Sequence, residues 1–307
     1  MKWKKLGLVW KPSDNREWSK THATCPTPIL LDENRLRVFI QTRDINNIGR
    51  VSYVDLKPEN PLEIVQESIK PVLDIGEPGA FDDNGVFQTS IIRNKDNDLY
   101  LYYVGFEICH NIRYRLLTGL AISKDNGETF KRVSNVPILE RSNEETIIRG
   151  GPFVLFHEDK FKMWYVSGNE WENLDGKEMP VYDLRYLESN DGINWPKEGK
   201  IILKIDRETE HGFGRPFVVT EENSYHMYYS VRKKIPLQYR LGYATSKDGI
   251  AWERKDSEIG LDISDRYWET ESVEFGAEFS FNGKTWLFYN GNDFGKDGFA
   301  IALLSEK

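Results

Sequence analysis

Short apolar runs alternate with polar loops from one end of the chain to the other, and the runs recur in a fixed order. A run following a charged loop occurs five times: "PTPILL" (26–31), "VFQTSII" (86–92), "GGPFVLF" (150–156), "GRPFVV" (214–219) and "GAEFSF" (276–281). With Pro28, Gln88, Pro152, Pro216 and Ala277 taken as equivalent, the steps are 60, 64, 64 and 61 residues. A second run follows each: "LRVFIQT", "LYLYYVG", "FKMWYVSG", "YHMYYSV" and "WLFYNG". A third follows: "GRVSYVDL", "LTGLAIS", "DLRYLES", "RLGYATS" and "GFAIALL". These aromatic and β-branched runs, bounded by Gly, Asp and Asn, read as strands. In units two to four a shorter fourth segment completes a four-stranded antiparallel meander. Long amphipathic helical periodicity is nearly absent.

Four strands repeated five times predict an all-β fold, a five-bladed β-propeller forming one domain over residues 1–307. The last unit ends after its third strand. The N-terminal "KWKKLGLVW" is expected to supply the fourth, which closes the ring and removes an exposed sheet edge. Between the third and fourth strands of units two to four stand near-copies of one turn, "SKDNGETF", "SNDGINW" and "SKDGIAW". Ser and Asp bond nearby backbone N–H groups and Gly takes a positive φ. The turn resembles, in loosened form, the Asp-box of sialidases. Asp125, Asp191 and Asp248 are therefore read as structural.

The meander assigns function to one face. Loops leading into the first strand share a face with those joining strands two and three; the repeated turn lies opposite. The lead-in loops are rich in charge. The repeat places His22, Asp82, Thr146, Glu210 and Glu271 on one rung, with Asp83 and His211 on the next. Arg149 and Arg215 are expected near the axis. The two-to-three loops add Arg43 and Asp44, Trp171 in "GNEWENLDGKEMPVYD", "RKKIPLQY", and Asn290 in "NGNDFGKDG". Of Asp82 and Asp83 only one is expected to face the channel, because neighbouring strand residues point opposite ways. Carboxylates, arginines, Trp171, Trp268 and Tyr182 around a narrow mouth suit a polar, hydroxyl-rich ligand such as a sugar.

Composition narrows the classes. A net charge of −8 is a poor footing for nucleic acid or an anionic membrane. The basic N-terminus has no apolar core or cleavage site, and no apolar run nears 18 residues, so a soluble cytoplasmic protein is expected. Cys25 and Cys109 make no disulfide framework. Neither a nucleotide-binding glycine motif nor a zinc-ligand spacing is present.

The five-unit pattern, with acidic residues where inner strands begin, resembles the propeller glycosidases of glycoside hydrolase families 43, 32, 62 and 130. "HATCPTPILL", "RVFIQTRD", "FDDNGV", "LYLYYVG", "GRPFVV" and "FYNGNDFG" are similar to bacterial glycosylase-like proteins of polysaccharide biosynthesis loci, over the whole chain. The resemblance implies a general base on the first blade, a tuning Asp on the second and a general acid on a later one. Asp82 or Asp83 matches the second position. Glu210, or Glu271 with Glu274, matches the acid. The first blade carries His22 where an Asp is usual, with Asp44 as a substitute in the next loop. His22, His211, Arg43, Arg149 and Arg215 are similar to a phosphate- or sugar-phosphate-handling set, with Glu274, Trp171 and Asn290 as further ligand contacts. No cofactor is required; the resemblance allows calcium or water in the central channel.

The expected function is a glycosidase or glycoside phosphorylase acting on a small oligosaccharide or activated sugar of bacterial surface polysaccharide metabolism, inverting by paired carboxylates such as Asp83 and Glu271. The alternative is a non-catalytic glycan- or sugar-nucleotide-binding propeller, since fold alone does not fix function.

Overall fold

A computed structural model describes residues 1–13, 15–222 and 224–306. The chain begins with β1 (Lys2–Trp10) and then folds into successive antiparallel units. The first holds β2 (Thr21–Asp32), β3 (Arg35–Arg43), β4 (Gly49–Lys57) and β5 (Asn60–Glu67). The second holds β6 (Val86–Arg93), β7 (Leu99–Ile108), β8 (Tyr114–Ser123) and β9 (Lys131–Arg132). The third holds β10 (Ile148–His157), β11 (Lys160–Leu174), β12 (Lys177–Ser189) and β13 (Lys200–Leu203). The fourth holds β14 (Glu210–Glu221), β15 (Ser224–Lys233), β16 (Tyr239–Ser246) and β17 (Trp252–Arg254). The last holds β18 (Glu274–Phe281), β19 (Lys284–Asn290) and β20 (Phe299–Glu306). β1 pairs antiparallel with β20 as its fourth strand, from Lys2 opposite Glu306 to Trp10 opposite Phe299.

The result is a nearly all-β, propeller-like molecule. The described helices are one turn each, α1 (Asn292–Gly295) and a 3-10 turn at Asp256–Glu258. No described helix is long and apolar enough to cross a membrane. The inner strands β2, β6, β10, β14 and β18 pack each on the next, and β18 packs back on β2. The units are not separate sheets throughout. Short parallel contacts, Ile148 with Leu116, Arg149 with Leu117 and Tyr182 with Gly212, join the second, third and fourth into one continuous sheet.

Second strands are covered on both faces by neighbouring units. That is why "MWYV" (163–166) is a continuous apolar run without polar alternation, and why Met163, Trp164 and Tyr165 are all fully buried. Each inner strand carries a register shift against its second strand at a similar height, between Thr24 and Thr27, Gln88 and Ser90, Gly150 and Phe153, Gly214 and Phe217, and Glu274 and Ala277. Such bulges re-aim side chains.

The repeated turn is a staple within its unit and a latch onto the preceding one. Ser123, Ser189 and Ser246 each accept from a turn glycine N–H, at 2.7, 3.0 and 2.9 Å. Gly192 and Gly249 hold positive φ of 72° and 74°, which glycine adopts without strain. Their carbonyls receive Tyr102 Oη at 2.9 Å and Trp164 Nε1 at 2.8 Å from the unit before.

Candidate functional site

Glu274 opens β18 at its bulge, beside Phe275 at φ 54°. Its side chain is buried, with the residue only 1 % exposed. Oε1 accepts the Phe294 N–H at 3.0 Å, and Oε2 has no hydrogen-bond partner. Burial pushes its pKa from the ordinary 4.5 to about 8; the Phe294 amide, Arg232 and Arg43 oppose the shift, and Asp293 adds to it. At neutral pH the group is mostly a carboxylic acid with one oxygen uncommitted, the form a general acid requires.

The walls are cationic and aromatic. Arg232 on β15 lies 5.3 Å from the Tyr182 ring centre and 5.2 Å from that of Tyr239, and donates to the Tyr182 hydroxyl. Its Nε has no acceptor. Arg43, at the end of β3, donates to Gln41 Oε1 and Asn47 Oδ1, both at 3.0 Å, and stands 5.7 Å over the Phe294 ring. Burial lowers its pKa to about 10, against the pull of Glu274. His22 contacts Thr21 Oγ1 at 2.8 Å, and His211 contacts the Pro180 carbonyl at 3.2 Å. Burial, aided by Arg43 and Lys296 for His22 and by Arg232 for His211, lowers both to about 3. Both rings are neutral at physiological pH and can hydrogen-bond but not carry charge. Trp171 packs edge-on against Tyr114 at 5.3 Å, with its Nε1 unpartnered.

Phe294 covers Glu274. Its ring contacts Phe275 at 6.5 Å and Tyr239 at 5.6 Å while staying 36 % exposed. Asp293 and Phe294 take consecutive positive φ of 51° and 60°, a strained pair for non-glycine residues. Beneath this layer Arg215, fully buried, reaches from β14 to the carbonyls of Phe275 (2.9 Å) and Pro26 (3.3 Å). Its Nε and Nη1 have no acceptor, and burial lowers its pKa.

Several residues expected here lie elsewhere. Asp82 turns into its unit, where Oδ2 accepts from Tyr103 Oη at 3.0 Å and Arg132 Nε at 2.8 Å. This arrangement recurs with Tyr at the same rung of the second strand. Tyr165 bonds Glu145 at 2.7 Å beside Arg149, and Tyr289 bonds Glu269 at 2.8 Å beside Lys5. In the fourth unit the work is divided. Tyr229 bonds Asp256 at 2.5 Å, while Arg254 forks onto Glu210 at 2.9 and 2.8 Å. Gly119 and Gly242 stand opposite Tyr103 and Tyr229, where any Cβ would strike the ring. The buried carboxylate, tyrosine and cation are thus a structural tie, and the rung assignment of Thr146 and Glu271 is corrected to Glu145 and Glu269.

Glu210 is accordingly no general acid. Although burial pushes upward, Arg254, the Asp206 N–H and Lys233 hold it down to about 2, so it is ionised at neutral pH. Arg149 is turned into its unit by Glu145 at 3.0 Å. Asp44 closes its own hairpin through Arg50 and the Asn46 and Ile48 amides. Asn290 is spent between strands, accepting from the Cys25 N–H at 2.7 Å and donating to the Ala23 and Gly298 carbonyls. Glu271 is exposed and has only backbone bonds, to Asn292 and Arg240. Asp83 is half-exposed, caps the Gly79 N–H at 2.8 Å and bonds Asn84.

Glu210→Gln is expected to cost roughly 3 kcal/mol at pH 7, because Arg254 loses a buried partner. The depressed pKa makes this contribution complete above the ordinary 4.5 and lost as pH falls toward 2. Melting temperatures of wild type and variant should converge over that window; a gap unchanged at pH 2.5 overturns the assignment.

The site residues absent from the sequence reading are Arg232, Tyr239, Asp293 and Phe294. The first two lie at the ends of "RKKIPLQY", where repeat position does not announce which side chain turns inward. A cleft of about 500 Å³ lies at the opposite end of the inner strands, lined by Phe153, Leu155, Phe217, Val219, Glu278 and neighbours. Its Glu278 is already held by Tyr228 at 2.7 Å and His226 at 3.3 Å. Size alone does not outweigh the chemistry around Glu274. Among the described residues no three of His, Cys, Asp and Glu come together as a metal site.

Residues 72–213 match the family described as "Glycosyl hydrolases family 32 N-terminal domain". A solved structure described as "Glycoside hydrolase" superposes with a TM-score of 0.78 at 17 % identity, over 99 % of this chain and 92 % of that one. Another, described as "The GH130 family of mannoside phosphorylases contains glycoside hydrolases that target beta-1,2 mannosidic linkages in Candida mannan", superposes at 0.74 and 12 % identity over 98 % and 93 %. The class is therefore the propeller fold shared by glycoside hydrolase families. Within it, the chain belongs to the family of the "Uncharacterized protein Rv1502" of Mycobacterium tuberculosis, to which it is 30 % identical over 304 residues, 99 % of each chain.

Proposed function

We propose that this protein is a carbohydrate-active enzyme, a glycosidase or glycoside phosphorylase, in which Glu274 is the general acid. The observation that carries the reading is a buried carboxyl held protonated near neutrality with one oxygen free, at the start of the last inner strand. In this reading the five units are the blades of one five-bladed, single-domain propeller, and the substrate is a small oligosaccharide or activated sugar of bacterial surface polysaccharide metabolism, handled in the cytoplasm. In hydrolysis Asp83, from the second unit, which is not adjacent to the fifth, takes the proton of the water that attacks the anomeric carbon as Glu274 protonates the leaving oxygen; in phosphorolysis a phosphate oxygen attacks in place of that water and no base is needed. An inverting pair stands roughly 6.5–9.5 Å apart. In this reading no cofactor takes part, and water rather than calcium occupies the central channel, where the Arg215 guanidinium would repel a cation.

Asp83→Asn is expected to reduce turnover about 100-fold or more, with the melting temperature within a few degrees of wild type. A product screen over nucleotide sugars, sugar phosphates and small oligosaccharides, with and without phosphate, supplies the assay. Equal turnover in both proteins removes Asp83 from the mechanism. A non-catalytic sugar-binding propeller is the second reading, favoured by His22 at the first-unit position and by the ion pairs that occupy Asp82 and Glu210. Ligand-induced stabilisation with no product over long incubation would select it.

A further inference from the structure

We propose that the sugar bound beside Glu274 carries an anionic oxygen group, a carboxylate or phosphoryl substituent, gripped by Arg43 and Arg232. This rests on the carbohydrate reading above and names its substrate class.

Most other buried or half-buried arginines of this chain are paired with carboxylates. Arg37 has Asp55 at 2.7 Å, Arg132 has Asp82 at 2.8 Å, Arg149 has Glu145 at 3.0 Å and Arg254 has Glu210 at 2.8 Å. Arg43, Arg215 and Arg232 have no carboxylate within ion-pair distance among the described residues. These three are the arginines gathered around and beneath Glu274. A guanidinium removed from water without a counter-ion is costly, and unsatisfied buried donors mark places where a partner is missing. Arg232 is 6 % exposed with Nε unused, and Arg215 is buried with Nε and Nη1 unused. The rings of Tyr182 and Tyr239 stabilise Arg232 in part but leave that donor unfilled.

Local charge points the same way. Glu274 in its acid form contributes nothing, and His22 and His211 are neutral. Asp293, exposed beside Phe294, is a carboxylate that offsets the arginines in part. The surroundings of Glu274 are therefore net positive inside a protein of net charge −8, so they are not part of a general basic surface. A planar guanidinium matches a carboxylate or phosphoryl group through paired donors. A neutral sugar would leave the buried charge of Arg232 without a counter-ion.

The test is binding of matched pairs to the full-length protein at pH 7: glucuronate against glucose, galacturonate against galactose, and glucose 6-phosphate and mannose 6-phosphate against their parents. Inorganic phosphate is run alone. At least one anionic sugar should bind tenfold or more tightly than its parent, whether through its carboxylate or its phosphoryl group. Arg232→Gln and Arg43→Gln should each remove most of that preference. If Arg232→Gln does not fold, Arg232→Lys, which keeps charge but loses the fork, should reduce it several-fold. Glu274→Gln should retain binding, and the two readings fail separately: anionic binding by the wild-type protein without turnover leaves the inference standing and removes the general acid. The inference is overturned by parity of parents and anions, by binding of none of the probes, by a preference that survives both arginine variants, or by inorganic phosphate alone reproducing the effect.

Discussion

Glu274→Gln is expected to abolish turnover while making the protein more stable. Loss of a general acid removes about 10²- to 10⁴-fold in rate. The stability gain follows from the sign of the shift. In the folded chain Glu274 titrates at about 8, and in the unfolded chain at the ordinary 4.5. Between those values the folded state holds a proton that the unfolded state has released, so stability falls as pH rises. The slope is about 1.4 kcal/mol per pH unit, and over the full window the loss is on the order of 5 kcal/mol. Glutamine retains the acceptor for the Phe294 N–H without the titration. The variant should therefore melt near wild type at pH 4.5 and several degrees above it at pH 8. Full activity, or a melting temperature that falls below wild type as pH rises, would contradict the assignment.

Asn290→Ala is expected to be the most destabilising single change made away from the chemistry. Its amide joins three strands: Oδ1 takes the Cys25 N–H of β2, and Nδ2 reaches Ala23 of β2 and the Gly298 carbonyl that leads into β20. Truncation orphans a buried donor and two acceptors in the seam between the last unit and the first. Each orphaned group costs roughly 1–3 kcal/mol, and on the order of 4 kcal/mol is expected for the set. Urea denaturation should show a lower midpoint with an unchanged slope. A midpoint within error of wild type would mean that the seam is held by packing alone.

The repeat was legible because strand, turn and spacing are local properties. "LYLYYVG" and "FKMWYVSG" align by inspection, and the Ser-Asp-Gly turns announce where each meander bends. The N-terminal strand was legible by subtraction, since the last unit lacked one. What local pattern does not encode is the direction of a side chain at a bulge. Asp82 and Asp83 are neighbours in one loop, yet Asp82 goes to Tyr103 and Arg132. The tie was open to the sequence: Tyr103, Tyr165, Tyr229 and Tyr289 occupy one rung, and a buried hydroxyl needs a partner. That column marks Asp82 as structural. Glu274 was visible as an acidic residue, but its priority over Glu271 depends on burial three residues along, which spacing cannot distinguish. Phe294 and Arg232 act through tertiary contact across units and left no repeat signature.

The pairing of β1 with β20 closes the last unit through strands at opposite ends of the propeller sequence, from Lys2 opposite Glu306 to Trp10 opposite Phe299. β1 is made before β20 by the length of the propeller, and until β20 emerges the edge of β1 is available to other chains. The final unit acquires its fourth strand only after β20 leaves the ribosome, so ring closure is a late event. A circular permutant that links the two ends and opens a surface loop between two other units would place all four strands of that unit in one continuous stretch. Such a chain should reach the same fold with less aggregation during expression, because the strand that waits longest would no longer exist.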